Sequence, residues 1–146
     1  MLTFDHIGLV VASIEVEAPR LGALLQLTRW TERFDDVALG VSVCFATDGA
    51  GLVVELIAPL GPDSPVARAA RQKRDCLNQM AYRTDDMVGA RARFEAAGAV
   101  VLSEAKPALA FAGAPVEFFL MPQGFVVELV GAPAFAHQFV RDSPPA

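Results

Sequence analysis

The sequence predicts an α+β fold built from two tandem βαβββ units, and three observations predict it. Residues 51–59, Gly-Leu-Val-Val-Glu-Leu-Ile-Ala-Pro, return as residues 124–133, Gly-Phe-Val-Val-Glu-Leu-Val-Gly-Ala-Pro, which sets Glu128 73 positions after Glu55. The same offset lays Asp5-His6-Ile7-Gly8 on Asn78-Gln79-Met80-Ala81, Leu21 on Phe94, and Ser13 on Asp86, two residue types favoured at helix N-caps. Strand-like and helix-like apolar periods also follow one another in the same order in both halves.

Each element has its own local reason. Residues 2–11 are apolar and β-branched, with Asp5 and His6 as the polar interruption, and read as the first strand. A helix follows within 13–26, and Pro19 places a kink or a helix start there, since proline has no N–H to give. Residues 27–34 alternate as a strand, 37–46 as another broken by Gly40, and Gly49-Ala50-Gly51 turns the chain into a strand at 52–58. The second unit reads as a strand at 76–84, a helix at 86–97, a short strand at 99–103, and strands at 115–121 and 124–130. In its helix Met87, Ala90, Phe94 and Ala97 form one apolar stripe, Asp86 caps the start and Gly98 ends it. The expected organisation is one domain, 1–146, with modules 1–58 and 76–131 joined by a linker at 59–75. Residues 134–146, ending in two prolines, read as a frayed tail with a solvated His137.

Composition narrows the classes of function. A chain of 146 residues that is 53% hydrophobic and 20% charged is not disordered, and no apolar run reaches the length of a membrane span. The N-terminus carries an acid at once and no basic segment, so no signal peptide is expected. A net charge of −5 argues against nucleic acid or an anionic membrane as partner. Cys44 and Cys76 lack metal or redox spacing and read as buried thiols of a cytoplasmic protein.

Glu55 and Glu128 each sit inside a Val-Val-Glu-Leu strand. A lone carboxylate there belongs on a solvent face, and a lone His6 in a satisfied core. Two identical placements related by the repeat, with His6 and Gln79 related by the same operation, argue instead for a shared site. All four side chains would converge if the strands curl around a common axis. One imidazole, one amide oxygen and two carboxylates suit a divalent cation such as Co²⁺, Ni²⁺, Zn²⁺ or Mn²⁺. Four such ligands leave two positions of an octahedron for water or a bidentate substrate.

The chain resembles the vicinal oxygen chelate superfamily (glyoxalase, bleomycin-resistance and ring-cleaving dioxygenase folds), and within it the methylmalonyl-CoA epimerases. The resemblance covers residues 3–131. It is carried by Phe4-Asp5-His6-Ile7-Gly8-Leu9-Val10-Val11, by Gly40-Val41-Ser42-Val43-Cys44-Phe45, and by Arg83-Thr84-Asp85-Asp86, Glu95-Ala96-Ala97-Gly98 and Val127-Glu128-Leu129. Its most epimerase-like piece is Glu55-Leu56-Ile57-Ala58-Pro59-Leu60-Gly61-Pro62-Asp63-Ser64-Pro65. The resemblance implies a curved, half-open barrel, a homodimer, and metal ligands at His6, Glu55, Gln79 and Glu128. It also implies a carboxylate base, Glu128, acting on a substrate whose enolate a metal stabilises, and epimerisation would then need help from Glu55, water or a further residue. Two positions depart from the pattern: Asn78-Gln79 stands where the epimerases have His-His, and Val43 falls where some of them place a further Glu.

The expected function is a divalent-metal-dependent isomerase or lyase that moves a proton on an acyl-CoA thioester or a related oxygen-chelating small molecule. The alternative is a metal-free ligand-binding protein of the bleomycin-resistance type. Arg68, Arg71, Lys73 and Arg74 form the one basic cluster, either a solvated helix face or a docking surface for a phosphate-bearing carrier such as CoA.

Overall fold

Strand pairing carries the repeat into three dimensions in a computed structural model that describes residues 1–146. β1 (Leu2–Val10) runs parallel to β5 (Val53–Pro59), with Ile7 opposite Val54 and Gly8 opposite Glu55. β6 (Leu77–Thr84) runs parallel to β9 (Val126–Val130), with Met80 opposite Val127 and Ala81 opposite Glu128, the same register moved by the same offset. The antiparallel neighbours repeat too. Phe45 of β4 (Val41–Thr47) faces Glu55, and Phe118 of β8 (Pro115–Leu120) faces Glu128.

The halves join where β1 and β6 pair antiparallel. One mixed sheet results, in the order β2-β4-β5-β1-β6-β9-β8-β7, with β2 (Arg29–Trp30), β7 (Val100–Pro107) and, also on β4, β3 (Phe34–Asp36). Its ends meet without closing. The Leu109 N–H, in the 3₁₀ turn Leu109–Phe111, donates to Asp36 Oδ2 at 2.9 Å, so elements at opposite ends of the strand order touch. A sheet must curve strongly to allow that, which gives the expected half-open barrel and the α+β class.

Strand alternation sorts the side chains. Val43, Phe45, Ile57, Val116 and Val130 pack in the concave interior. On the convex face α1 (Ile14–Leu25) covers Cys44, Ala46, Val54 and Leu56, with Ile14, Ala18 and Trp30 fully enclosed. α3 (Met87–Ala96) covers Phe119 and Leu129. Strands covered on both sides read as continuous apolar runs, which is why Glu55 and Glu128 stand out in them.

Several expectations are corrected. α1 starts at Ile14, capped by Ser13, and continues through Pro19, whose ring sits on the exposed face where the freed carbonyl meets water. The single strand expected over 27–34 is two short pieces, and the strand expected over 37–46 begins only at Val41, after a turn in which Gly40 has φ +71°. β7 extends to Pro107, and the linker contains a short helix, α2 (Ala67–Gln72). Cys76 is only half-buried, whereas Cys44 is enclosed, its thiol pushed up to about 12 by burial and by Glu55. The tail is not frayed. Arg141 pairs with Trp30, and Phe135 and Phe139 pack on the interior core. No helix is long and apolar enough to cross a membrane.

Candidate functional site

A β-bulge sets up the site. Phe4 pairs with Tyr82 and His6 with Ala81, so Asp5 has no partner on β6. The extra residue lets Asp5 and His6 both turn inward, against strict alternation, and both are buried. His6 is wholly enclosed, its ring edge-on to Phe45 and stacked on Phe111.

The four residues singled out in the sequence come together. His6 Nε2 lies 3.0 Å from Glu55 Oε2 and 3.4 Å from Glu128 Oε2. The Gln79 amide Nε2 donates to Glu55 Oε2 at 3.0 Å and to Glu128 Oε2 at 2.7 Å. All four are buried, and one ligand atom each of His6, Glu55 and Glu128 lies within 4.8 Å of the others. Gly8 makes room for Gln79: a Cβ on it would fall 2.6 Å from Gln79 Cγ.

Electrostatics follow from the enclosure. Burial lifts the Glu128 carboxyl to about 7, and the Glu55 charge adds to this against the hydrogen bond from His6. Burial alone would lower His6, but the Glu55 charge and the hydrogen bonds to Asp5, Glu128 and Glu55 overcome it and raise the imidazole well above its ordinary value. For Asp5 burial is likewise overcome, and hydrogen bonds from His137 and His6 hold it well below the usual carboxylate range. Without an added cation the enclosure therefore favours the protonated forms of His6 and Glu128.

Glu55, Gln79 and Glu128 open onto a cavity of ≈ 320 Å³, walled by Val41, Val43, Ile57, Phe111 and Phe118. Val43, the position where a further carboxylate was sought, is a plain apolar wall. Lys106 also lines the cavity. At its mouth Asp36 accepts from Leu39 N–H at 3.1 Å as well as from Leu109. Pro65 and Val66, on the cavity wall, lead into α2, where Arg68 and Arg71, followed by Lys73 and Arg74, are exposed.

Sequence reasoning missed Asp5, Asp36, Phe111 and His137 as parts of the site. His137 is not solvated: its side chain is 7% exposed and its Nε2 lies 2.7 Å from Asp5 Oδ2. The available signal was the alternation Phe135-Ala136-His137-Gln138-Phe139, which gives an extended chain an apolar side.

Comparison with known proteins agrees with this architecture. The family model described as Glyoxalase/Bleomycin resistance protein/Dioxygenase superfamily matches residues 5–118, ending before β9 and the C-terminal segment. An ethylmalonyl-CoA/methylmalonyl-CoA epimerase of Cereibacter sphaeroides is 31% identical over 126 residues, spanning 83% of this chain and 89% of that protein. A hypothetical protein from Bacillus halodurans superposes with a TM-score of 0.77 at 25% identity, over 94% of this chain and 99% of its own. A variant of Streptomyces coelicolor methylmalonyl-CoA epimerase, in complex with 2-nitronate-propionyl-CoA, has a TM-score of 0.74 at 21% identity, over 94% of this chain and 100% of its own.

Proposed function

The chain belongs to the glyoxalase/bleomycin resistance protein/dioxygenase superfamily, and on that basis we propose that it is a divalent-metal-dependent epimerase of acyl-CoA thioesters. The observation that carries this reading is the pair of buried carboxylates, Glu55 and Glu128, gathered with His6 and Gln79 at the floor of an apolar cavity. On this reading residues 1–146 are one domain, modules 1–58 and 76–131 joined by 59–75.

The donor set fits a cation. His6 Nε2, the two carboxylates and, with its amide turned, Gln79 Oε1 would hold it, an oxygen-rich set suited to Co²⁺, Ni²⁺, Zn²⁺ or Mn²⁺. Charge fits as well. Asp5 has Arg83 beside it, the Nε 2.9 Å from Asp5 Oδ1, and a divalent ion would offset the charge that Glu55 and Glu128 bring to the site. A cation held there would act as a Lewis acid for negative charge that develops on a thioester oxygen.

The chain's own groups do the rest. Glu128 takes the α-proton: its enclosed carboxylate opens onto the cavity, where a carboxylate shielded from water is a stronger base than one in solvent. Glu55, its counterpart in the repeat, is the second carboxyl: carrying a proton at the start of the turn, it gives that proton to the opposite face and inverts the carbon, and the two carboxyls end with their protonation states exchanged. Val43, Ile57 and Phe118 keep water from the reacting carbon. Lys106 and the exposed Arg68, Arg71, Lys73 and Arg74 are the cations within reach of the carrier's phosphates.

The direct test is NMR of methylmalonyl-CoA in D₂O with Co²⁺-loaded protein. The expected result is exchange of the α-proton and interconversion of the two epimers. Absence of both, with ligand binding unaffected by chelators, would assign the cavity to a metal-free binding protein instead.

Metal loading should also be linked to protons. A bound cation would displace the protons that His6 and Glu128 hold, so calorimetry with Co²⁺ at neutral pH should show proton release, and affinity should fall as pH drops below about 7. Metal-free stability has the opposite trend. Both groups have folded values raised above their ordinary 6.5 and 4.5, so their contribution is full below those and is lost as pH rises through the folded ones. The melting temperature of metal-free protein should fall from about pH 6 to about pH 8, and Co²⁺ should reverse the fall. A metal-free melting curve that is flat or rising over that window would contradict the assignment.

A further inference from the structure

After β9 the chain crosses back over the site as an extended strap. Arg83 Nη1 donates to the carbonyls of Pro133 and Phe135 at 2.8 and 2.9 Å. Further on, Trp30 and Arg141 exchange backbone hydrogen bonds at 2.9 and 3.0 Å, and Arg29 binds the Phe139 carbonyl and Asp142. Between these anchors Phe135, His137 and Phe139 turn inward while Ala136, Gln138 and Val140 are exposed. The His137 ring lies against Phe45, with centroids 4.1 Å apart, and is edge-on to Phe111 and Phe135. Asp5, His6, Phe45 and His137 do not line the cavity, whereas Glu55, Gln79 and Glu128 do, so the strap closes the site from behind.

One contact ties this strap to the chemistry. Asp5 Oδ2 lies 2.7 Å from His137 Nε2 and 2.7 Å from His6 Nδ1. We propose that His137 is a positioning residue: by donating to Asp5 Oδ2 it holds that carboxylate where it captures the His6 Nδ1–H, and so aims His6 Nε2 at Glu55 and Glu128. The bulge turns Asp5 inward but does not choose its rotamer. Arg83 Nε approaches Oδ1 without the alignment of a hydrogen bond, so Oδ2 is placed by the two histidines. A ligating imidazole is oriented by the partner of its other nitrogen, and here that partner is itself oriented by a residue near the C-terminus.

The metal arm of the test rests on the proposed cation site; the other arm does not. With only two histidines in the chain, ¹⁵N-histidine labelling of metal-free full-length protein gives two rings to read. The His6 Nδ1–H should be a slowly exchanging downfield proton. His137→Phe keeps a ring against Phe45 and removes the donor, and should make that proton exchange rapidly. Calorimetry should then show Co²⁺ affinity reduced roughly 10–100-fold. His137→Gln, which keeps a donor, should restore both. A His137→Phe protein with wild-type His6 exchange, or a His137→Gln protein no better than His137→Phe, would overturn the proposal in favour of packing alone. Should His137→Phe not fold, His137→Gly in metal-free form decides the matter. Free imidazole should slow the His6 proton again, and no response to it would overturn the proposal. If the wild-type chain binds no Co²⁺, the cation reading fails, and the exchange measurements alone judge His137.

Discussion

Glu128→Gln should abolish proton transfer and leave the fold intact. The amide matches the carboxylate in shape, and its oxygen can still accept from Gln79 Nε2, which now lies 2.7 Å from Glu128 Oε2. What disappears is the basic group. Loss of a positioned general base lowers the rate by roughly 10²–10⁴-fold, so α-proton exchange of the thioester into D₂O should drop by at least that much. In metal-free protein the substitution also removes a carboxylate that burial has lifted to about 7, so the melting temperature at neutral pH should hold or rise. Glu55→Gln makes the informative partner. Each variant loses one proposed ligand, so the ratio of two rates is the quantity to compare. If Glu128 removes the proton and Glu55 returns one, Glu55→Gln should still exchange deuterium into substrate while inverting its configuration more slowly. Exchange near the wild-type rate in Glu128→Gln would remove Glu128 from the role of base.

Replacing His6 should be the most damaging single change to stability in metal-free protein. Asp5, Glu55 and Glu128 are 8%, 6% and 3% exposed, and the His6 ring touches all three. Taking away the cation of a buried ionic cluster costs about 3–5 kcal/mol, since the carboxylates left behind are shut off from water, and Glu55 and Glu128 keep only the neutral Gln79 amide between them. At roughly 2–4 °C per kcal/mol for a chain of this size, His6→Ala should melt about 6–20 °C below wild type at neutral pH. His6→Phe separates charge from lost packing, because it keeps a ring against Phe45 and Phe111. If charge dominates, His6→Phe should melt nearly as low at neutral pH and recover as pH falls and Glu128 takes up a proton. A deficit below about 1 kcal/mol in His6→Ala would mean that the cluster is not held by the imidazolium at all.

Much of this architecture was legible in the chain because two regularities are local. A strand alternates sides every residue, so a carboxylate inside Val-Val-Glu-Leu must face something, and a repeat that places Glu55 and Glu128 at one offset with His6 and Gln79 makes that something common to all four. The register pairs Ile7 with Val54 and Met80 with Val127 at that same offset, because the two Val-Val-Glu-Leu strands carry the same apolar faces. The helix caps Ser13 and Asp86 were readable as well, since capping depends on residues within one turn.

Other features belong to contacts between distant parts of the chain. Asp5 reads as the outward neighbour of an inward His6 until a bulge, fixed by pairing with β6, turns both the same way. Asp36 is an ordinary strand-end residue until the sheet curls far enough to bring Leu109 to it. His137 lies in a segment whose proline-rich end suggests fraying, yet Arg29, Trp30 and Arg83 bind its backbone and the ring reaches a carboxylate 132 positions earlier. Periodicity fixes which face a residue takes within its own element. Which distant groups meet there depends on how the sheet bends and where the chain returns, and that is set by the packing of the whole interior at once.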